Sequence, residues 1–330
     1  MPAANPAISA AVRRIPPPIY RWLGDRIFLA GVVLFGLSVM ALAVSLALVL
    51  YREGAAAITT FGFFGFLKGT TWDPALRLEF GALPFLIGTL VTSIAALALS
   101  FPPAIAVAIF SAEYAPRWLA HIIDGLVDLI AAVPSVVVGI WGIFVFAPWM
   151  RETFYMPAYL WAADRHPDLL PLLGSPIGYG MTTAVIVLAL MIIPFTAALS
   201  RDAIRLVPKE QREAALALGA TRWEVIRMAV LPYARSGIIA GAILSFGRAI
   251  GETMAVAMLI GNKNTLPFNL FGAAATMPSV IVNEFREAVE NLHLSSLMAI
   301  GFYLFLISLL VNLFAAYLQR KMAVSGGRAV

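Results

Sequence analysis

Cysteine is absent from this 330-residue chain, and charged residues account for only 12% of it. Without cysteine there are no disulfides, thiolate metal sites or cysteine nucleophiles. Soluble domains carry about 25% charged residues. This chain has about half that share of charged residues, together with 61% hydrophobic residues and a mean hydropathy of +0.88. These values exclude a water-soluble fold. The chain is therefore better described by how many membrane-spanning helices it contains, each of which needs ~20 apolar residues.

Long apolar runs recur along the chain, and each is long enough to cross ~30 Å of hydrocarbon as a helix. Five are free of charged residues, and a sixth is interrupted by Arg248 and Glu252. The six runs are residues 27–51, 80–112, 129–150, 169–200, 236–260 and 291–319. They predict an all-α polytopic membrane protein with six transmembrane helices.

The basic residues outside these runs predict the orientation. With both termini inside, fifteen of the 23 Lys and Arg residues lie in cytoplasmic segments and seven in external ones. An excess of basic residues on the cytoplasmic side is the rule for membrane proteins. We therefore expect a multi-pass plasma-membrane protein with both termini cytoplasmic. Because the basic residues are scattered between apolar runs, nucleic acid is not expected as a partner.

The segment between the fourth and fifth runs, residues 201–235, is too long for a passive connection, which needs ~2 to 8 residues in a helical bundle. Strong helix formers over 211–217 predict a short helix, and Gly219 is a natural stop. Thr221 and Glu224 are spaced as a capping box. They predict a second helix over 222–229 that ends near the membrane surface.

The sequence of this loop resembles the EAA loop of ABC importer permeases. That pattern is EAA, three residues, Gly, nine residues, Ile, any residue, Leu-Pro. The matching residues are Glu213, Ala214, Ala215, Gly219, Leu231 and Pro232, and the departure is Ala229 where the pattern has Ile. The resemblance implies that these residues dock onto a cytoplasmic ATPase and pass its motion to the membrane helices. The alternative is an amphipathic surface helix with a chance match.

A phosphate-binding loop for ATP is missing from the chain itself. None of its four lysines is followed by Ser or Thr, so the GxxxxGK[ST] motif cannot occur. If ATP powers this protein, a separate subunit binds it together with Mg²⁺. We expect a transporter subunit rather than an enzyme, with no catalytic residues, metal ligands or cofactor of its own.

The two charges in the fifth run are the candidates for a substrate pathway. Arg248 lies 12 residues after Ser236, or ~18 Å along a helix, which places it near the bilayer midplane. Inserting an arginine there costs ~2.5 to 3.5 kcal/mol of free energy. Glu252 follows at i+4 and is expected to face it, on one stripe with Ser245. We expect Arg248, Glu252 and Ser245 to line or gate a path for an anion, because the guanidinium fork binds two oxygens at once. The alternative is an internal ion pair that only locks helices together.

Asp124 and Asp128, also four residues apart, open the third run from the cytoplasmic side. Their position near the interface favours two solvated charges. A role in coupling or packing is the alternative.

Three further motifs narrow the resemblance to the PstC-type permeases of phosphate ABC importers. The motifs are residues 80–85 with 88–93, residues 132–142, and residues 247–256. The resemblance extends from about Trp72 to Arg320. It implies an ABC importer type I permease (MetI-like) fold, and a subunit that forms the path for inorganic phosphate. The implied organisation is a cytoplasmic tail with an interfacial lead-in (1–26), a first transmembrane helix (27–51), a periplasmic loop (52–79), the permease domain (80–320) and a cytoplasmic tail (321–330).

The resemblance implies partners in the lipid bilayer and on both sides of it. They are a second, related permease subunit forming a heterodimer, two ATP-binding subunits and a periplasmic phosphate-binding protein. Alternating access would then move phosphate inward. An importer of another oxyanion, such as molybdate or sulfate, remains an alternative because it would share the EAA loop. An ATP-independent anion channel or secondary transporter leaves the 35-residue loop unexplained.

Overall fold

Six helices of the chain are long and apolar enough to cross a membrane. The computed structural model describes residues 18–266 and 269–326, so the predicted tails lie partly outside the described residues. The spans are Gly24–Glu53, Leu83–Tyr114, Ser135–Arg165, Met181–Arg205, Arg222–Ile250 and Asn291–Gln319. The predicted number of spans and the all-α class are therefore confirmed.

The elements of the described chain are mostly α-helices, some joined by π-helical turns. The helices are α1 Pro18–Glu53, α2 Ala55–Phe61, α3 Phe63–Lys68, α4 Leu83–Ile109, α5 Arg117–Ala132, α6 Ser135–Trp141, α7 Ala147–Met150, α8 Met156–Arg165, α9 Leu170–Leu173, α10 Met181–Arg205, α11 Lys209–Ala217, α12 Arg222–Val225, α13 Leu231–Ile250, α14 Met254–Leu259, α15 Met277–Glu284 and α16 Asn291–Gly326. The π turns are Phe110–Tyr114, Gly142–Phe146, Arg151–Tyr155 and Ile226–Val230, and Pro167–Leu169 is a 3₁₀ turn. Two short antiparallel strands, β1 Trp72–Asp73 and β2 Glu79–Phe80, pair Trp72 with Phe80.

The chain divides into two units, Met1–Arg52 and Glu53–Val330. In the first unit, the α1 side chains from Gly24 onward are exposed or half-exposed. The stretch of α1 without charged residues, 27–51, exposes mostly apolar side chains, which match hydrocarbon surroundings.

The second unit is built around α10, which is the most buried of the six spans. It packs against α4, α13 and α5, and α16 packs against α13 and α2. The core around it contains Leu188 and Ile192, both fully buried, with Leu259 and Ile260 from the segment after α13. We call the end of this unit that carries residues 201–235 the loop end.

At the other end, the Glu284 carboxylate ties three separate segments together. It accepts hydrogen bonds from Trp72 Nε1 at 2.8 Å and Asn264 Nδ2 at 2.7 Å. His293 Nε2 lies 2.9 Å from Glu284 Oε2. This network holds the strand pair, the segment after α14 and the start of α16 in one arrangement.

The predicted bounds of the third and fourth spans were wrong. The residue before a proline is driven out of the α region, and Val133, with ψ 126°, breaks the helix before Pro134. The third span therefore begins at Ser135 and runs to Arg165 instead of ending at residue 150. The fourth begins at Met181, because Gly174 and Gly178 adopt positive φ and interrupt helix before it.

The fifth span differs from its predicted bounds at both ends. It begins in the loop at Arg222 and passes through the π turn Ile226–Val230 into α13, so the second loop helix does not stop at the membrane surface. It ends at Ile250, where α13 stops. Glu252 therefore lies beyond the helix that carries Arg248, contrary to the predicted single stripe.

Candidate functional site

The loop at residues 201–235 forms the predicted helix, glycine turn and second helix. Gly219 has φ 86° and ends α11 in a Schellman motif. Its N–H donates to the Leu216 carbonyl at 2.9 Å, and the Ala220 N–H donates to the Ala215 carbonyl at 3.3 Å. These bonds satisfy carbonyls that the helix end leaves free.

The start of α12 is fixed by the predicted capping box. The Glu224 N–H donates to Thr221 Oγ1 at 3.4 Å, and the Thr221 N–H donates to Glu224 Oε2 at 2.8 Å. This reciprocal pair aligns the second helix with the turn.

The inner face of the loop packs against the membrane helices. Ala215, Ala220 and Leu231 contact a buried cluster that contains Ile204 and Val230. Ala229, at the position that departs from the EAA pattern, is half-buried. Pro232 is the second residue of α13 and follows the π turn Ile226–Val230.

The loop and the start of the fifth span carry exposed side chains, several of them apolar. Glu213 and Ala214 are exposed, Leu218 is 90% exposed, Trp223 54% and Met228 71%. Exposed apolar side chains of this kind are a candidate contact surface for a partner. We call the exposed residues Glu213, Ala214, Leu218, Trp223 and Met228 the docking face.

A charged cluster that the sequence did not predict lies beside the loop. Arg205 Nη2 donates to Asp124 Oδ2 at 2.9 Å, and Ser111 Oγ donates to Asp124 Oδ1 at 2.7 Å. Arg201 Nη1 lies 2.9 Å from the same carboxylate. The expectation of a solvated Asp124 was therefore wrong, whereas Asp128 is exposed.

The ionisation of Asp124 follows from these contacts. Partial burial opposes the charged form, but the hydrogen bonds from Ser111 and Arg205 and the positive charge of Arg201 outweigh it. Together they hold the pKa of Asp124 below its ordinary value. The cluster joins α5 to the end of α10.

A second unpredicted ion pair connects the loop to α4. Arg212 Nη2 donates to Glu113 Oε1 at 2.6 Å, and Arg212 Nε donates to the same oxygen at 3.1 Å. Glu113 lies just past the predicted end of the second run. The sequence did contain one signal for this pair, because a carboxylate at the end of a membrane helix is expected to pair with a basic side chain.

Arg248 borders a small cavity within the membrane region. The cavity has a volume of about 100 Å³ and lies between the ends and faces of α5, α6, α10 and α13. Its lining residues are Ile130, Ala131, Val133, Val138, Trp141, Leu190, Met191 and Arg248. The helix break at Val133 therefore forms part of its wall, and irregular backbone at membrane depth is tolerated where it lines a cavity.

The guanidinium of Arg248 faces an aromatic ring and has no carboxylate partner. Its Cζ lies 4.1 Å from the centre of the Phe195 ring, a distance typical of a cation–π contact. Within the part of the chain that the structure describes, Arg248 has no ion pair, and the Glu252 side chain has neither an ion pair nor a hydrogen bond. The alternative of an internal Arg248–Glu252 lock is therefore wrong.

The three predicted pathway residues have different surroundings. Arg248 lies in the last turn of α13, Glu252 is half-buried after the helix end, and Ser245 is 1% exposed. Ser245 Oγ accepts a hydrogen bond from Thr196 Oγ1 at 2.7 Å. It therefore joins α13 to α10 inside the protein rather than facing the cavity.

Comparisons with known proteins agree with this architecture. Residues 104–324 match the family described as "Binding-protein-dependent transport system inner membrane component". A solved bacterial alginate ABC transporter, in complex with an alginate-bound periplasmic protein, has a chain that superposes with a TM-score of 0.57. That match has 16% identity and covers 94% of this chain and 98% of the other. The fold and the loop thus define a multi-pass permease subunit of an ABC importer.

The relatives in sequence are more specific. The phosphate transport system permease protein PstC of Mesorhizobium japonicum is 39% identical over 99% of this chain and 98% of its own length. That of Pasteurella multocida is 40% identical over 82% of this chain and 84% of its own. The chain belongs to the PstC family of ABC importer permeases, and the resemblance inferred from its motifs is confirmed.

Proposed function

We propose that this chain is the permease subunit that forms the path for inorganic phosphate in an ATP-driven importer. Membership of the PstC family supports the substrate class. The single structural observation that carries the proposal is the Arg248 guanidinium on the cavity wall without an acidic partner in the described chain.

An unpaired arginine in a membrane is costly, at ~2.5 to 3.5 kcal/mol on insertion scales. A planar fork of donors matches two oxygens of a tetrahedral oxyanion. The Phe195 ring balances part of the positive charge without occupying those donors. Arg248 is thereby left able to bind a passing anion.

Glu252 and Ser245 take different roles in this proposal. Glu252 is half-buried and lies four residues after Arg248, just past the end of α13. It is a candidate to contribute a negative charge to the part of the pathway next to that helix end. Ser245 acts indirectly, because its hydrogen bond with Thr196 fixes α13 against α10.

The docking face is proposed as the contact with an ATP-binding subunit. Its larger apolar side chains, Leu218, Trp223 and Met228, are exposed. The neighbouring turn is fixed by the capping box of Thr221 and Glu224. ATP and Mg²⁺ bind to two such partner subunits, and their movement reaches this chain through Glu213, Ala214, Ala215, Gly219, Leu231 and Pro232. This chain hydrolyses no ATP itself.

The membrane orientation determines on which side each remaining partner is proposed to bind. The excess of basic residues supports a cytoplasmic loop end and cytoplasmic termini. The opposite end, held by the Glu284 network, then faces a periplasmic phosphate-binding protein. A second related permease subunit completes the path, in the bacterial plasma membrane.

The experiment compares phosphate uptake by proteoliposomes that contain the assembled complex with wild-type Arg248, Arg248→Lys or Arg248→Ala. A hydrogen bond to a charged group contributes ~1.5 to 3 kcal/mol, so we expect Arg248→Ala to lower uptake by about 10- to 100-fold. Lysine, a point charge without the fork, should restore part of it. Arg165→Ala is the matched control, since that arginine is exposed in α8. Normal uptake by Arg248→Ala would refute the pathway role.

A further inference from the structure

The residue immediately before the EAA motif, Arg212, joins three elements at once. Besides the Glu113 carboxylate, its Nη2 donates to the Ile204 carbonyl at 3.0 Å, and its Nη1 donates to the Val207 carbonyl. Only 21% of the Arg212 side chain and 14% of the Glu113 side chain are exposed. A guanidinium with this many partners has little freedom to move alone.

The partners of Arg212 sit at the ends of two membrane helices. Glu113 belongs to the π turn Phe110–Tyr114 that ends the second span. Ile204 lies in the last turn of α10, and Val207 is the second residue after the helix end at Arg205. The last carbonyls of a helix lack helical partners, and a basic side chain there satisfies them and the helix dipole. Arg212 therefore links α11 to the loop ends of α4 and α10.

By packing, α11 contacts α12 and the π turn Ile226–Val230, which both belong to the fifth span. None of its residues is fully buried, and Ala215 is the residue of this helix that packs against the buried cluster below the loop. The adjoining cavity of about 200 Å³ is lined by Glu113, Arg212, Leu216 and Val225 among others. Packing thus holds α11 to the fifth span, whereas the polar link of Arg212 holds it to the ends of the second and fourth spans.

The charged cluster around Asp124 does a different job. Arg201 and Arg205 both belong to α10, and Asp124 belongs to α5. That cluster joins α5 to α10 and does not include α11. Among the ion pairs of the described residues, the Arg212–Glu113 pair is therefore the one that connects α11 to a membrane helix.

We propose that the Arg212–Glu113 pair is the positioning link that transmits movement of α11 to α4 and α10 during ATP-driven transport. The inference rests on the proposed function, in which the docking face receives the ATP-binding subunit. The pair contacts neither ATP nor phosphate. Its loss uncouples ATP hydrolysis from uptake, because α11 then moves without displacing the ends of the two helices.

The test measures phosphate uptake and ATP hydrolysis in the same proteoliposomes of the complete complex. The variants are Arg212→Gln, Glu113→Gln, and the charge exchange Arg212→Glu with Glu113→Arg. We expect each single variant to lower phosphate imported per ATP hydrolysed by about tenfold or more, while ATP hydrolysis persists. The exchange should recover part of that ratio. Arg117→Gln, an exposed arginine at the same end, is the control.

Size-exclusion chromatography of each complex separates coupling from folding. An unchanged ratio in both single variants would overturn the inference, as would equal losses of uptake and hydrolysis that the exchange fails to correct. Uptake by the wild-type complex without ATP would instead overturn the proposed function itself. The two failures are therefore distinguishable.

Discussion

Replacing Gly219 with valine should weaken the contact with the ATP-binding subunit through backbone strain alone. Gly219 has φ 86°, and a Cβ added there would meet no atom within 4 Å. The left-handed region costs an L-residue ~1 to 2 kcal/mol, and a β-branched residue is least tolerated there. Because 1.4 kcal/mol corresponds to a tenfold change in an equilibrium constant, a cost of about 2 kcal/mol lowers the equilibrium constant for forming the native turn about 30-fold.

The strain acts on a weakly held segment. No residue of α11 is fully buried, so the turn has little packing energy with which to resist a penalty of this size. Apparent affinity falls with the population of the competent conformation. We expect Gly219→Val to lower affinity for the ATP-binding subunit by about 10- to 30-fold. Gly219→Asn should stay within about threefold, since asparagine tolerates this region.

The assay is titration of the purified permease pair with the ATP-binding subunit, followed by uptake in proteoliposomes. Gly125→Val is the control, because Gly125 also has open space around its Cβ position but no positive φ. Equal affinity of wild type and Gly219→Val would refute the argument. If asparagine were as damaging as valine, side-chain bulk at the interface would be responsible instead of backbone strain.

Two further predictions concern packing and pH. A Cβ at position 88 would lie 2.1 Å from the Ala275 carbonyl oxygen, so Gly88→Ala should destabilise the unit by about 1 to 3 kcal/mol. Thermal unfolding of the purified complex measures this, and an unchanged midpoint would contradict the close approach. Since the pKa of Asp124 is lowered in the folded state, its stabilisation is present above the unfolded value of about 4 and is lost as the pH falls through the folded value. Asp124→Asn should therefore cost about 1 to 3 kcal/mol at pH 7, and progressively less as the pH falls below about 4. Unfolding measured over this pH range tests the prediction, and a cost that does not decrease with falling pH would contradict the ion-pair explanation.

The features that could be predicted from the sequence are those set by local interactions. The length of apolar runs fixes the number of spans. The turn at Gly219 and the box formed by Thr221 and Glu224 depend on residues within a few positions of each other. The proline at 134 also carried a local signal, since it ends the preceding helix.

The features that escaped prediction depend on distant parts of the chain. Arg212 and Glu113 are separated by 99 residues, and Arg205 and Asp124 by 81. Their pairing follows from the packing of α10 against its neighbours, which periodicity does not reveal. The end of α13 at Ile250 was missed because the following residues continue an apolar run, although the backbone turns there.

Uptake of labelled phosphate by proteoliposomes of the complete complex, with competing oxyanions present, tests whether the chain forms a phosphate pathway coupled to ATP. We expect ATP-dependent uptake that arsenate reduces and that equal concentrations of sulfate or molybdate leave unchanged. Equal competition by sulfate or molybdate would contradict a phosphate pathway. Uptake that persists without ATP would contradict coupling through the loop.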